Sequence, residues 1–321
     1  LIIGGLLPNV VGPARMKILL IGRNGQLAWE LTRTLACLGT VIAIDRKSHP
    51  LAIDLVDKDS IKDAVQTIAP DLIVNASAYT AVDRAEHEDD LAYQVNAHAP
   101  GALAELAVKF NAGLIHYSTD YVFKGDAQQP YSEGMQPEPL NVYGRSKLAG
   151  ESAIVSVGPQ HLIFRTAWVY GSRRSNFLLT MLRLMRQKDS ISIVSDQLGA
   201  PTWTRQIAEA TALAIAKCIV NGQFRPDARS GIYHMTCADQ TSWFGFAQKI
   251  NEIAMENGLL DESCAEIHTV TTEEYPTDAA RPAYSLLSND KLEKEFDLRL
   301  PNWKTCLEMC LSDAGCLGGV S

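Results

Sequence analysis

The chain has 321 residues, a formal net charge of −8 and a sequence pI of about 5.4. Apolar residues make up 46% and charged residues 21%, the balance of a soluble globular protein with a sizeable core in one large or two ordinary domains. An acidic total with no basic stripe argues against a nucleic-acid partner but leaves room for an anionic small molecule held by a few local Arg and Lys side chains.

The first fifteen residues, LIIGGLLPNVVGPAR, are apolar, lack a basic start and are broken by Pro8 and Pro13. They read as a leader outside the fold, which is expected to begin at Met16. No later stretch is long and apolar enough to cross a bilayer, so a cytoplasmic protein without membrane association is expected. The seven Cys include no CxxC and no His at zinc-finger spacing, which fits incidental thiols in a reducing compartment.

MKILLIG opens the fold as a buried strand ending at Gly22. GRNGQLAWELTRTLACLG follows as a Gly-rich turn and an amphipathic helix, with Leu27, Leu31, Leu35 and Leu38 at helical spacing and Gly39 as its stop. TVIAID is a second strand ending at Asp45. LAIDL is read as a further strand end carrying Asp54, and KDSIKDAVQTIA as a helix. PDLIVNASAYT reads as a third long strand, DLAYQVNAHAPGALAELAVKFN as a helix and AGLIHYSTDYVF as a buried strand. NVYGRSKLAGE lies on the next helix, and HLIFRTAWVYG is again a strand.

Strands apolar throughout, alternating with helices, predict an α/β fold: a doubly wound parallel sheet of Rossmann type, covered on both faces. Ligands then sit at the C-terminal strand ends, where strand order reverses. After Gly171 the alternation weakens, which predicts a smaller mixed α/β substrate-binding domain. The expected division is a dinucleotide-binding domain at 16–171 with returns to the sheet at roughly 204–235, a substrate-binding region at 172–203 and 236–312, and a tail at 313–321.

In GRNGQLA, Gly22, Gly25 and Ala28 follow strand and precede helix. Gly22 permits a tight turn, Gly25 lets a pyrophosphate approach the backbone and Ala28 lets helix and strand pack closely. The helix start offers free N–H groups to phosphate. Asp45 stands where a carboxylate can accept from an adenosine ribose hydroxyl, which favours NADH. Arg23 in the loop could pair with a 2′-phosphate, so NADPH stays open. Asp54 could accept from the adenine amino group, with an exposed, solvated Asp as the alternative.

Tyr143 and Lys147 share a helix face, and Ser118 and Thr119 end the strand upstream. A strand-end hydroxyl followed by Tyr and Lys one turn apart, in a dinucleotide-binding chain, resembles the extended short-chain dehydrogenase/reductase superfamily. Hydride reaching a carbonyl carbon builds charge on its oxygen. Tyr143 is expected to donate the proton as general acid, its pKa brought down from about 10 by the Lys147 cation and the charge of oxidised nicotinamide. Lys147 can also hold the nicotinamide ribose, and Thr119 can bond the substrate oxygen.

The segments MKILLIGRNGQLAWEL, DLIVNASAYTAVDRAE, HYSTDYVFKG, PLNVYGRSKLAGE, HLIFRTAWVYG, DQLGAPTW and RPAYSLLSNDKL, in this order, narrow the resemblance to the dTDP-4-dehydrorhamnose reductase family. RTAWVYG and DQLGAPTW carry most of that narrowing. The resemblance implies reduction at C4 of a 4-keto-6-deoxy nucleotide sugar, with Tyr143, Lys147 and Thr119 catalytic. Cofactor contacts are implied at Gly25, Gln26, Leu27, Asp45, Asp54, Leu55, Ala78, Tyr79 and Thr80. Asp120, Trp168 and Arg281 would meet substrate, although Trp168 could equally be core and Arg281 equally a structural ion pair. The resemblance also implies a homodimer with Mg²⁺ held by Glu residues. Glu30 stands at the matching helix position, where a solvated Glu is the plainer reading.

Two rivals come from relatives of the same scaffold. One is a dinucleotide-binding partner protein resembling the regulatory subunit of methionine adenosyltransferase. The other is a nucleotide-sugar epimerase or dehydratase. A dehydratase commonly carries an Asp-Glu pair after the strand-end hydroxyl, where this chain reads Thr119-Asp120-Tyr121.

Overall fold

The computed structural model describes residues 15–313. Nearly all of the expected leader, the tail from 314 and Cys316 lie outside the described residues. Six strands form one parallel sheet: β1 (Met16–Ile21), β2 (Gly39–Ile44), β3 (Leu72–Asn75), β4 (Gly113–Thr119), β5 (His161–Thr166) and β6 (Gly231–His234). Their order is β6-β5-β4-β3-β1-β2. Every residue of β3, β4 and β5 is buried, as expected of a parallel sheet roofed on both sides. From β1 the chain steps outward to β2 and returns to β3 on the other side of β1. That reversal opens a crevice at the strand ends, where Ile21 faces Ile44 on one side and Asn75 on the other.

Nine helices matter here: α1 (Gln26–Thr34), α2 (Lys58–Ile68), α3 (Ala99–Phe110), α4 (Val142–Val157), α5 (Phe177–Gln187), α6 (Thr204–Ala216), α7 (Trp243–Glu256), α8 (Asp290–Phe296) and α9 (Trp303–Ser312). One face of the sheet packs against α2, α3 and α4 through Ile61, Val65, Leu103, Ala107 and Ile154. The other packs against α1 and Leu35 just after it, α6 and α8, through Leu31, Leu35, Ile207, Ile215, Leu292 and Phe296. Each such fully buried Leu, Ile, Val or Phe side chain contributes roughly 1.5–3 kcal/mol. A separate core joins α5, α7 and α9 with the parallel pair of strands Ser190–Val194 and Glu266–Val270. Buried Cys237 and Cys306 lie there with Sγ atoms 3.5 Å apart, and all described cysteines are free thiols.

Four local readings change. LAIDL is not a strand. β2 is the edge of the sheet, and the segment makes one backbone bond back to it, from Ile53 N to Asp45 O at 3.1 Å. Gly39 does not stop α1. The helix ends at Thr34, a 3₁₀ turn covers Leu35–Cys37, and Gly39 is the first residue of β2. The third strand ends at Asn75, because the Asn75 side chain accepts the Ser77 N–H at 3.2 Å and turns the chain out of the sheet. The long helix before β4 contains a π turn at Gln94–His98. Pro100 has no N–H for the carbonyl of Asn96, so the helix widens there.

Candidate active site

At the crevice, Gly22 adopts φ +100°, and a Cβ on it would sit 3.1 Å from the carbonyl oxygen of Ala76. Only glycine takes that conformation without strain. The Gly22 N–H is held by Ile44 O at 2.9 Å, and the Gly25 N–H donates to Gly22 O at 2.7 Å. No side chain caps the start of α1, so its first N–H groups, from Gln26 and Leu27, face a phosphate-sized anion without competition. These features fit a dinucleotide.

Asp45, just beyond β2, is a heavily engaged carboxylate. Oδ1 accepts from Lys47 N at 2.9 Å and Ser48 Oγ at 3.1 Å, and Oδ2 accepts from Asn24 Nδ2. Partial burial works to raise its pKa, but these bonds and the nearby Arg23 hold it below the usual carboxylate value. Arg23 and Arg46 are exposed, and Arg23 lies near the carboxylate. Asp54 lies in the loop, where its Oδ1 accepts from Val56 N at 3.2 Å, and Leu55 is turned inward and buried. Ala78, Tyr79 and Thr80 lie in the irregular segment after β3.

That segment is held by a residue the sequence reading passed over. Buried Asn96, in the π turn, accepts the Tyr79 N–H at 2.9 Å. Its Nδ2 donates to Tyr79 O at 3.0 Å and to Ser146 Oγ at 3.0 Å. One amide therefore ties the post-β3 segment to α4 beside Lys147. The one available signal was a proline four residues on.

The start of α4 sets the position of Tyr143. Asn141 caps the helix by accepting from Gly144 N at 2.8 Å and donates Nδ2 to Ala280 O at 2.8 Å. A Cβ on Gly144 would stand 2.2 Å from Tyr121 O, so glycine lets the helix press against the 3₁₀ turn Asp120–Val122. Tyr143 then bonds the Thr119 hydroxyl and meets Tyr121 edge-on, with ring centroids 5.6 Å apart. Thr119 Oγ1 donates to Asp120 Oδ1 at 3.0 Å, while Asp120 Oδ2 is buried without a partner.

The ionisation of this patch departs from expectation. Burial pushes the Tyr143 phenol up to about 12, against its contact with the Thr119 hydroxyl, and Asp120 adds to the rise. Desolvation outweighs the influence expected of Lys147, whose Nζ turns instead to Tyr117 O at 2.6 Å and His116 Nε2 at 3.2 Å. Burial also lowers the Lys147 ammonium to about 8, against the opposing pull of Glu151. Burial raises the Asp120 carboxyl to about 6, against the bond from Thr119 and the nearby Ser285 hydroxyl.

Trp168 is neither core nor free. It is partly exposed, has φ +45° and stacks on Trp243 of α7 with centroids 3.6 Å apart and planes 4° from parallel. Trp243 was not singled out from sequence, because it lies 75 residues away on a helix with its own core. Arg281 pairs with Asp83 at 2.7 Å while its Nη1 is buried without a partner, so it is ion-paired and still has a donor to offer. Glu30 is not solvated. It is 8% exposed and pairs with Arg205 at 3.6 Å. Among the described residues no group of three or more His, Cys, Asp or Glu side chains could hold a metal ion, so the structure does not gather ligands around Glu30. Also among them, no helix is long and apolar enough to cross a membrane.

A family model described as RmlD substrate binding domain matches residues 16–316. A dTDP-4-dehydrorhamnose reductase of Burkholderia thailandensis is 44% identical over 302 residues, 93% of this chain and 99% of that protein. A dTDP-4-dehydrorhamnose reductase of Clostridium acetobutylicum superimposes with a TM-score of 0.83 at 34% identity, over 94% of this chain and all of that one. One from Bacillus anthracis, solved in complex with NADP, superimposes with a TM-score of 0.82 at 34% identity, over 93% and 99% of the two chains.

Proposed function

We propose that this chain, which belongs to the dTDP-4-dehydrorhamnose reductase family, reduces the C4 ketone of dTDP-4-dehydrorhamnose to give dTDP-L-rhamnose, with a reduced nicotinamide dinucleotide as the electron source. The observation that carries the reading is the meeting of Tyr143, Thr119 and Asp120 at the end of β4, next to a glycine turn that fits a dinucleotide. The nicotinamide supplies the hydride for the ketone carbon. Tyr143 gives its hydroxyl proton to the ketone oxygen, leaving the alcohol and a phenolate that is reprotonated from solvent. Thr119 holds that oxygen in line. Lys147 stands one helical turn behind Tyr143 and holds the nicotinamide ribose.

Gly22 and Gly25 let the pyrophosphate approach the turn, Gln26 and Leu27 take it on backbone N–H groups, and Ala78, Tyr79 and Thr80 line the nicotinamide side. Asp45 faces the adenosine ribose and Asp54 the adenine. Because the Asp45 carboxylate is already engaged and has the exposed Arg23 beside it, NADPH is accepted along with NADH. Its relative from B. anthracis binds NADP. Asp120 bonds the sugar, the Trp168–Trp243 pair flanks it, and the free Nη1 of Arg281 meets the substrate diphosphate. A cytoplasmic location goes with this reading.

The test mixes purified protein with NADPH or NADH and dTDP-4-dehydrorhamnose and follows loss of the reduced nicotinamide absorbance. Turnover that falls by roughly 10²- to 10⁴-fold in Tyr143→Phe supports the assignment. No turnover by the parent chain despite dinucleotide binding would favour a partner-protein role instead.

A further inference from the structure

Behind the patch runs a buried polar chain that the proposed reaction does not use. His116, on β4, is 1% exposed, as is Asn75 opposite it on β3. Asn75 Oδ1 accepts the backbone N–H of Ser77 at 3.2 Å, which fixes the amide so that Nδ2 faces His116. Nδ2 lies 3.1 Å from His116 Nδ1. An amide N–H can only donate, so Nδ1 must accept and the imidazole proton sits on Nε2. That Nε2–H points at Lys147 Nζ, 3.2 Å away.

We propose that His116, locked in the Nε2–H tautomer by Asn75, is a positioning residue that presses a donor against Lys147 and so disfavours the ammonium form there. If Nζ is the free amine, it accepts the imidazole proton. If it is the ammonium, two donors oppose each other. Both cases act in the same direction. The other bond of Nζ, to Tyr117 O at 2.6 Å, keeps the side chain on the strand.

The surroundings agree. His116 stays neutral, its pKa pushed well below 6.5 by burial and then by Lys147. The Lys147 ammonium, lowered to about 8, exchanges its proton near neutral pH. The charged group facing Lys147 on its own helix is Glu151, which opposes the lowering but is bound on both oxygens by Arg165 of β5, at 2.9 and 2.6 Å. From β4 come His116 and the Tyr117 carbonyl. From the π turn comes the uncharged Asn96 amide, through Ser146.

This inference rests on Lys147 serving the reduction proposed above, and the first test does not. Nitrogen-15 NMR of the full chain, with His116 assigned through its contacts with Asn75 and Lys147, should show a protonated Nε2 and a bare Nδ1. A protonated Nδ1 overturns the proposal. The second test is the pH profile of kcat in the reductive direction, which should fall as Lys147 loses its proton near pH 8. Asn75→Asp turns an acceptor toward His116 Nδ1 and reverses the tautomer, and His116→Gln can place a carbonyl oxygen on Nζ. Each should move that fall upward by about one pH unit. Profiles superimposable on the parent in both variants overturn it. Full activity in Tyr143→Phe would instead remove the reading of the reaction, while the tautomer result stands on its own.

Discussion

The glycine turn and the end of β4 lie at the same crevice but are built in opposite ways. The turn is made of backbone. Most of its contacts join Gly22, Gly25, Asn24, Ile44 and Asp45, within a short stretch of chain, with Arg174 Nε donating to Asn24 O at 2.7 Å from far along it, and Arg23, Asn24 and Arg46 remain exposed. The patch around Tyr143 is made of side chains taken out of water. It is held across long separations: Asn96 to Ser146, Lys147 to His116, Asn141 to Ala280 and Arg281 to Asp83. The difference teaches that a backbone turn suited to a dinucleotide is set largely by local chain shape, whereas shifting the ionisation of a phenol needs burial, which only the assembled fold supplies.

The largest effect is expected from Tyr143→Phe, a loss of roughly 10²- to 10⁴-fold in kcat with little change in cofactor affinity. Parallel losses in cofactor affinity would erase the division between the two regions. Next comes the buried pair under the patch. Glu151 and Arg165 are each 2% exposed, and Arg165→Met leaves a carboxylate without its partner. A loss of about 3–5 kcal/mol in unfolding free energy is expected by denaturant titration. A surface-like cost below about 1 kcal/mol would mean the patch is wetter than its burial implies.

Asp120 gives a pH-dependent prediction. Its folded pKa of about 6 lies above the unfolded value of about 3.9. The folded state therefore binds more protons between those values, and stability falls as pH rises from about 4 to 6. Asp120→Asn should remove that slope and stabilise the protein at pH 7 by up to roughly 3 kcal/mol, seen as a higher Tm. An unchanged slope would show that another group carries it. The smallest effect belongs to the turn. Asp45→Ala should raise the preference for NADPH over NADH by roughly tenfold in kcat/KM, about 1.4 kcal/mol. An unchanged ratio would mean that Asp45 does not meet the ribose.

Much of this was legible in the chain itself. The parallel sheet follows from strands without polar alternation, and the glycine turn from a fixed spacing after the first of them. Tyr143, Lys147 and Thr119 were marked by their order and by one helical turn. The misreadings were equally local. LAIDL has strand composition but no neighbour beyond β2 to pair with, and Gly39 reads as a stop when it serves as the first residue of a strand.

What no spacing could disclose is what meets what. Asn96 became a clamp because a proline opened a π turn, and Trp243 became the stacking partner of Trp168 because a second core brought α7 to the sheet. The direction of the Tyr143 shift was likewise decided in three dimensions. Sequence placed a cation one turn away, but the fold half-buried the phenol and turned that cation toward β4. Periodicity and glycine spacing are properties of neighbouring residues and survive in a linear string. Desolvation and hydrogen-bond partnership depend on atoms that come together only when distant segments pack, and those decide the chemistry.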